Sequence, residues 1–383
     1  MAFGAQHKNA NDWTEMKLRG RLTYLAVVLL VIVIVFAVIL PRMRGSAASR
    51  PDPAASGPWF DIAFTTPAEV DRPGTHQGGI DTRLVSLIDG AQRSVDIAAY
   101  DFDLMNVAEA MARAAGRGVR VRMVTDSDTV ANVKDEHIQA ALKTVRSARV
   151  TIVEDNRRAI MHHKFAVVDE AIVLTGSWNF TDGDTYRLNN NAVIVRNAQL
   201  AENFTHEFEE MFVQKHFGPT KSKVVPNPRI TIGTSTIESY FASETDPSQP
   251  LIRRIEASTS SIDFLAFAFT HDGLGAALIS RKRAGIPVRG VFEKTGSETR
   301  FSEHAHLKGV GAEVYQDGNR YVMHHKVFVI DGTTTAFGSF NFSDNAATEN
   351  DENLLIVDDP VFAKAFTAEV DRVVALARKV SGR

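Results

Sequence analysis

The 383-residue sequence contains no cysteine. That absence excludes disulfides and thiolate-bound metals and leaves the redox compartment open. A surplus of one charge is missing too: 43 lysines and arginines stand against 46 aspartates and glutamates, for a net charge of −3. No overall field draws the chain to nucleic acid or anionic lipid, so any grip on a phosphate has to be local. What remains is globular composition, 44% hydrophobic and 23% charged, in a chain long enough for about two domains.

Long apolar runs are equally scarce, with one exception. "YLAVVLLVIVIVFAVIL", Tyr24 to Leu40, carries no charge, and with Leu22 and Thr23 it would span roughly 28 Å as a helix, close to the hydrocarbon thickness of a bilayer. A buried core helix and a cleaved signal peptide are the alternatives. Pro41, Arg42 and Arg44 follow the run instead of a small-residue cleavage site, which favours an uncleaved anchor over residues 22–40. Lys8, Lys17, Arg19 and Arg21 precede it, and Arg42, Arg44 and Arg50 follow, a weak positive-inside bias. A short tail (1–21) before a single span predicts an inside N-terminus and an extracytoplasmic globular part. Residues 41–58, "PRMRGSAASRPDPAASGP", read as a flexible tether.

What the chain does have is a phrase written twice. "MHHKFAVVDEAIVLTGSWNF" (Met161 to Phe180) and "MHHKVFVIDGTTTAFGSFNF" (Met323 to Phe342) agree at ten of twenty positions. Similarity extends upstream: "SVDIAAYDF" (Ser94 to Phe102) matches "SIDFLAFAF" (Ser261 to Phe269), and "GVRVRMV" (Gly118 to Val124) matches "GIPVRGV" (Gly285 to Val291). A period this long is whole-domain duplication rather than a solenoid. It divides the chain into repeats at 59–217 and 230–383, joined by the Pro- and Lys-containing 218–229. Within a repeat, short β-branched runs alternate with Ala-rich or amphipathic helical stretches such as 106–118 and 201–214. That order predicts a layered α/β domain with a buried sheet.

In a strand, residues two apart share a face. His162 and Lys164 therefore aim at one point, as do His324 and Lys326, while His163 and His325 turn away as packing or surface residues. Asp169 and Asp331 stand seven positions past the first histidine, on the opposite face, as supports. Each Gly-Ser-x-Asn adds a tight turn and two polar groups, Ser177 with Asn179 and Ser339 with Asn341. A plain strand–turn–strand unit would let the polar set drift while the apolar positions held. The reverse is seen: "FAVV" became "VFVI" and the polar set is unchanged.

This pattern, His-x-Lys, four residues, Asp, six residues, Gly-Ser-x-Asn, resembles the signature of the phospholipase D superfamily, in two complete copies. The resemblance implies two tandem α/β/α sandwich repeats related by a pseudo-twofold axis, here behind an N-terminal transmembrane helix. It implies one active site where both copies meet, so that a monomer is a complete catalytic unit. It also implies phosphodiester chemistry through a phosphohistidine, without metal or other cofactor. The catalytic signature is then His162, Lys164, Asp169, His324, Lys326 and Asp331. One imidazole attacks phosphorus and the other protonates the leaving oxygen. The lysines neutralise phosphoryl charge, and Ser177, Asn179, Ser339 and Asn341 position it by hydrogen bonds. "ENDENLLIV" (Glu349 to Val357) aligns with "RLNNNAVIV" (Arg187 to Val195), so Glu352 stands where the first copy has Asn190, a departure from the family's acidic residue. A carboxylate beside His324 would favour its imidazolium form, making His324 the general acid and His162 the nucleophile.

The anchor makes a phospholipid head group the leading substrate, with nucleic acid close behind and phosphatidyl transfer third. A binding protein with a dead site is disfavoured, because both copies keep His, Lys, Asp, Ser and Asn. Arg158 and Arg320 align before the histidines as surface groups or phosphate contacts. Trp178 and Phe340 could line a pocket or pack the sheet. "EHAH" (Glu303 to His306) lacks the ligand spacing of a metal site. Asn179 and Asn341 match glycosylation sequons but belong to the repeated phrase.

Overall fold

The computed structural model describes residues 55 to 382. The expected tail, the span at 22–40 and most of the tether lie outside the described residues, and among those described no helix is long and apolar enough to cross a membrane.

The first repeat runs β1 (Ala55–Ser56), β2 (Phe60–Phe64), α1 (Asp81–Gly90), β3 (Ser94–Ala99), α2 (Met105–Gly116), β4 (Arg120–Thr125), α3 (Ser127–Ala131), α4 (Glu136–Ser147) and β5 (Thr151–Glu154). It continues through β6 (Lys164–Val168), β7 (Ile172–Gly176), α5 (Asp182–Tyr186), β8 (Leu188–Asn189), β9 (Asn191–Arg196) and α6 (Ala198–Glu209). The second repeat runs β10 (Arg229–Ile232), β11 (Ser235–Ala242), α7 (Ser248–Glu256), β12 (Ile262–Ala266), α8 (Asp272–Arg283), β13 (Val288–Phe292), α9 (Lys294–Ser297) and α10 (His304–Gly309). It ends with β14 (Glu313–Gln316), β15 (Val322–Met323), β16 (Lys326–Ile330), β17 (Thr334–Gly338), α11 (Asp344–Thr348), β18 (Glu352–Asp358) and α12 (Pro360–Ser381).

Two eight-stranded sheets result, with the same order: β1-β2-β9-β7-β6-β3-β4-β5 and β10-β11-β18-β17-β16-β12-β13-β14. β3, β4 and β5 are parallel and the rest of the first sheet is antiparallel, with β12, β13 and β14 matching them in the second. Central strands such as Ser94–Ala99 and Lys326–Ile330 are buried throughout, as expected for strands covered on both faces. Helices α1, α2 and α4 bury Leu84, Ile88, Val107, Met111 and Leu142 against one outer face. Helices α7, α8 and α10 do the same for the other sheet with Leu251, Ile255, Leu278 and Leu307.

The inner faces share a third core in which α6 and α12 are sandwiched. Phe204 of α6 packs edge-on against Phe241 of β11, 5.2 Å between ring centres, and Phe366 of α12 meets Phe64 of β2 at 5.2 Å. Each ring contributes on the order of 2 kcal/mol by leaving water. The halves are thus one packed body, which fixes the point where the two phrases meet.

Candidate active site

The site is built on the ends of β6 and β16 that open toward the other repeat. The backbone N–H of His162 donates to Asp351 O (3.0 Å), and that of His324 to Asn189 O (2.9 Å). A two-stranded parallel ladder, Leu188 with Val322 and Asn189 with Met323, and a bridge from Met161 to Asp351 complete the seam. Each repeat therefore hangs its histidine on the other. His162 and His324 are each 5% exposed.

The imidazole partners also come from the opposite repeat. Nδ1 of His162 lies 2.8 Å from both carboxylate oxygens of Glu352. Nδ1 of His324 lies 3.0 Å from Asn190 Oδ1 and 3.3 Å from Asp184 Oδ1. All are acceptors, so Nδ1 carries the proton in both rings and Nε2 keeps a lone pair. This corrects the expectation that Glu352 sits beside His324. Alignment matches positions between copies, whereas the contact crosses from one copy to the other.

The serines take a different role from the expected phosphate donors. Ser177 Oγ donates its single hydrogen to Asn190 Oδ1 (2.8 Å) and accepts from Asn191 N (3.1 Å). Ser339 repeats this with Glu352 and Asn353. They orient the groups that orient the histidines. The preceding glycines are required because a Cβ at Gly176 or Gly338 would collide with the carbonyl oxygen of Asn191 or Asn353. Asn179 donates Nδ2–H to Asp184 Oδ1 at 3.2 Å, and Oδ1 of both Asn179 and Asn341 is buried without a partner among the described residues.

Two ammonium groups complete the centre. Lys164 Nζ donates to His162 O (2.8 Å) and lies 4.9 Å from the Tyr100 ring centre; Lys326 Nζ donates to His324 O (2.9 Å), 4.6 Å from Phe267. Burial pushes Lys164 down to about 8 against the attraction of Glu352, Asp184 and Asp101. Burial and the nearby Lys164 ammonium push Lys326 far down as well. Burial lowers His324 to about 3, helped by Lys326 and opposed by Asp184, and drives His162 well down with Lys164 and Lys326 assisting. Burial raises Glu352 to about 7, against Lys164. Burial thus disfavours each charge in the site, and a bound phosphodiester anion would offset that cost for both lysines.

Asp169 and Asp331 of the signature bind backbone at the strand ends. Both adopt positive φ (55°) at the far ends of β6 and β16. Asp169 accepts from the backbone N–H groups of Gln92, Arg93 and Ser94, and Asp331 from those of Thr259, Ser260 and Ser261. They tie strand ends to the neighbouring loop. His163 and His325 are wholly buried, bonded to Glu207 (2.7 Å) and Glu369 (2.9 Å) and, across the seam, to Asn353 and Asn191. Trp178 and Phe340 lie in the outer cores. Glu303 pairs with His306 at 3.4 Å, and no cluster fit for a metal occurs among the described residues. Arg158 is exposed; Arg320, also exposed, lines a cavity of about 260 Å³ with Arg372 and Lys379.

Sequence reasoning missed Asp184. The signal was present: "NFTDGD" in the first copy aligns with "NFSDNA" in the second, so an acid is gained in the copy that has Asn190 in place of one.

A family described as "Cardiolipin synthase, PLD-like domain" matches residues 84–212 and 251–374, more than half of the chain. The chain belongs to the phospholipase D superfamily. Among curated proteins it is 35% identical over 140 residues to the mitochondrial cardiolipin hydrolase of Xenopus tropicalis, covering 37% of this chain and 64% of that one. A phospholipase D of Rickettsia prowazekii is 24% identical over 162 residues, 42% of this chain and 79% of that one. The chain thus spans less than two thirds of the frog protein's length. In fold it is similar to the phosphatidylserine synthase of Haemophilus influenzae, with a TM-score of 0.57 at 14% identity over 82% of this chain and 86% of that one.

Proposed function

We propose that the protein is a membrane-anchored phosphodiesterase that hydrolyses a phospholipid head-group ester through a phosphohistidine, anchored by residues 22–40 with its catalytic part extracytoplasmic. The observation that carries this reading is the pair of imidazoles in one buried site, each held at Nδ1 from the opposite repeat so that Nε2 is left for chemistry, with Lys164 and Lys326 beside them.

His162 is the nucleophile. Its Nε2 forms a bond to phosphorus as the bond to the leaving alcohol breaks, and His324, protonated at Nε2, gives that proton to the leaving oxygen. Water then gives a proton to His324 and its oxygen displaces His162, restoring both rings. The Glu352 carboxylate at 2.8 Å supports the positive charge that persists on phosphorylated His162, which favours His162 as the nucleophile. Lys164 and Lys326 offset charge on the phosphoryl oxygens.

A lipid is favoured over a polynucleotide because residues 22–40, read as an anchor, would hold the site near a bilayer. The names of the frog and Rickettsia relatives support the same class. Full-length protein in mixed micelles, with chelator, is offered phospholipids, single-stranded DNA and RNA. Release of a head-group alcohol alone supports the reading; release of nucleotides alone overturns it, and transfer to an added alcohol in place of hydrolysis marks a phosphatidyltransferase.

A further inference from the structure

The two catalytic histidines are held by chemically unlike groups. His162 meets a carboxylate directly, Glu352 at 2.8 Å. His324 meets a neutral amide at 3.0 Å, Asn190, with a carboxylate just behind it at 3.3 Å, Asp184. Position 184 corresponds to Ala346 and position 190 to Glu352 in the second repeat. The first repeat therefore keeps one acid for the opposite histidine, displaced six residues along the chain.

The connection is continuous and buried. Asn190 Nδ2 donates to Asp184 Oδ1 at 3.0 Å and to Asp184 O at 3.1 Å, which fixes the amide so that Oδ1 must face His324. Asp184 Oδ1 also accepts from Asn179 N and Nδ2, and its Oδ2 from Thr181 Oγ1 at 3.0 Å. Asp184 is 7% exposed. Around His324 the other charged groups are Lys326 and Lys164, both cationic and both opposed to its protonation. Asn190 can orient the ring but brings no charge. Among the described residues, Asp184 is the carboxylate within ion-pair distance of His324, and it can offset a proton on Nε2.

We propose that Asp184 is the positioning residue that enables His324 to act as the general acid, a relocated counterpart of Glu352 acting together with Asn190. The proposal rests on the reading that His162 is the nucleophile. A capping role for α5, whose Thr181 accepts from Asp184 N at 3.1 Å, would affect folding alone, so the test must separate chemistry from stability.

Full-length Asp184→Asn is assayed on a phospholipid, whose alkoxide needs a proton to leave, and on an aryl phosphodiester, whose phenolate does not. The expected result is a roughly hundredfold fall in kcat on the lipid, a less than about threefold fall on the aryl ester, and recovery to within about tenfold in Asp184→Asn/Asn190→Asp. Equal losses on both substrates, or no recovery in the folded double variant, overturn the proposal. If Asp184→Asn does not fold, Asn190→Asp alone provides the measurement: a second carboxylate at His324 should raise kcat on the lipid relative to the aryl ester, and an unchanged ratio overturns the proposal. Label trapped on His324 instead of His162 in the unaltered enzyme would overturn the underlying assignment, a result distinct from any outcome of the Asp184 variants.

Discussion

The two repeats share strand order and signature yet differ in how they hold charge. Behind the catalytic pair, each repeat buries a second histidine on a glutamate from its own long helix. In the first repeat, Glu207 bonds both His163 and Lys221, and Lys221 also reaches Asp351 (2.8 Å) and Glu244 (3.3 Å). In the second, Glu369 bonds His325 and is clamped by Arg372 at 2.6 Å. Burial pushes Glu207 up to about 7 despite Lys221, whereas Arg372 and His325 keep Glu369 below its ordinary value against burial. The same backbone task is done by a four-membered charge cluster on one side and a bidentate pair on the other. Duplication preserves geometry more strictly than it preserves where the charges sit.

The largest effects should distinguish the two catalytic histidines. His162→Ala and His324→Ala should each lower kcat on phospholipid by roughly a thousandfold or more. Only the second should still form a phosphoenzyme from an aryl phosphodiester, read by rapid quench. Equal loss of phosphoenzyme in both would erase the division of labour between the repeats. Next comes Glu352→Gln, with an expected loss on the order of a hundredfold and a changed pH profile. Glu352 must be ionised to accept the His162 proton, so activity should fall as pH drops below about 7, and Lys164 must be protonated, so it should fall again above about 8. The substitution should remove the acid limb from kcat/KM and leave the alkaline one.

A third effect is on stability. Lys221→Met leaves Glu207 and Glu244 buried without their cation, Asp351 keeping Arg157 at 2.6 Å, and unfolding measured in denaturant should show a loss of about 3–5 kcal/mol. Arg372→Met should cost less, because its side chain is 34% exposed and water can solvate what remains of the pair. Equal costs would mean that the two buried arrangements are energetically alike despite their composition.

Much of this was legible in the sequence, for a definite reason. Alternation along a strand put His162 with Lys164 and turned His163 away: Tyr100 meets both His162 and Lys164, while His163 bonds Glu207. Contacts across the seam were not legible. Whether Glu352 serves its own histidine or the other depends on the β8–β15 ladder, and residues 188–189 and 322–323 carry no periodicity that announces it. Ser177 and Ser339 look like substrate donors until their single hydrogen is followed to Asn190 and Glu352. Helix ends were approximate: α2 stops at Gly116, and after α6 the chain runs on through a wider turn at Glu210–Gln214, where periodicity alone suggested one continuous helix.

The smallest effect concerns Asp169 and Asp331, the signature aspartates bound to backbone at the strand ends. Asp331 is held down to about 2: burial would raise it, but the N–H groups of Ser261, Ser260 and Thr259 outweigh burial. A carboxyl whose folded pKa is depressed adds stability above its unfolded pKa, near 4, and loses it as pH falls through about 2. Asp331→Asn should therefore cost on the order of 1 kcal/mol at pH 7, with the difference from the unaltered protein vanishing toward pH 2. Turnover per folded molecule should be unchanged, since three backbone donors at the far end of β16 lose a charge-assisted acceptor and the cleft loses nothing. Asp169 makes the same three backbone bonds in the first repeat, so its substitution should match in size. A large fall in kcat from either would mean that strand-end tension reaches His162 or His324 through five residues of β-structure, and that the repeats are coupled along their strands as well as across their seam.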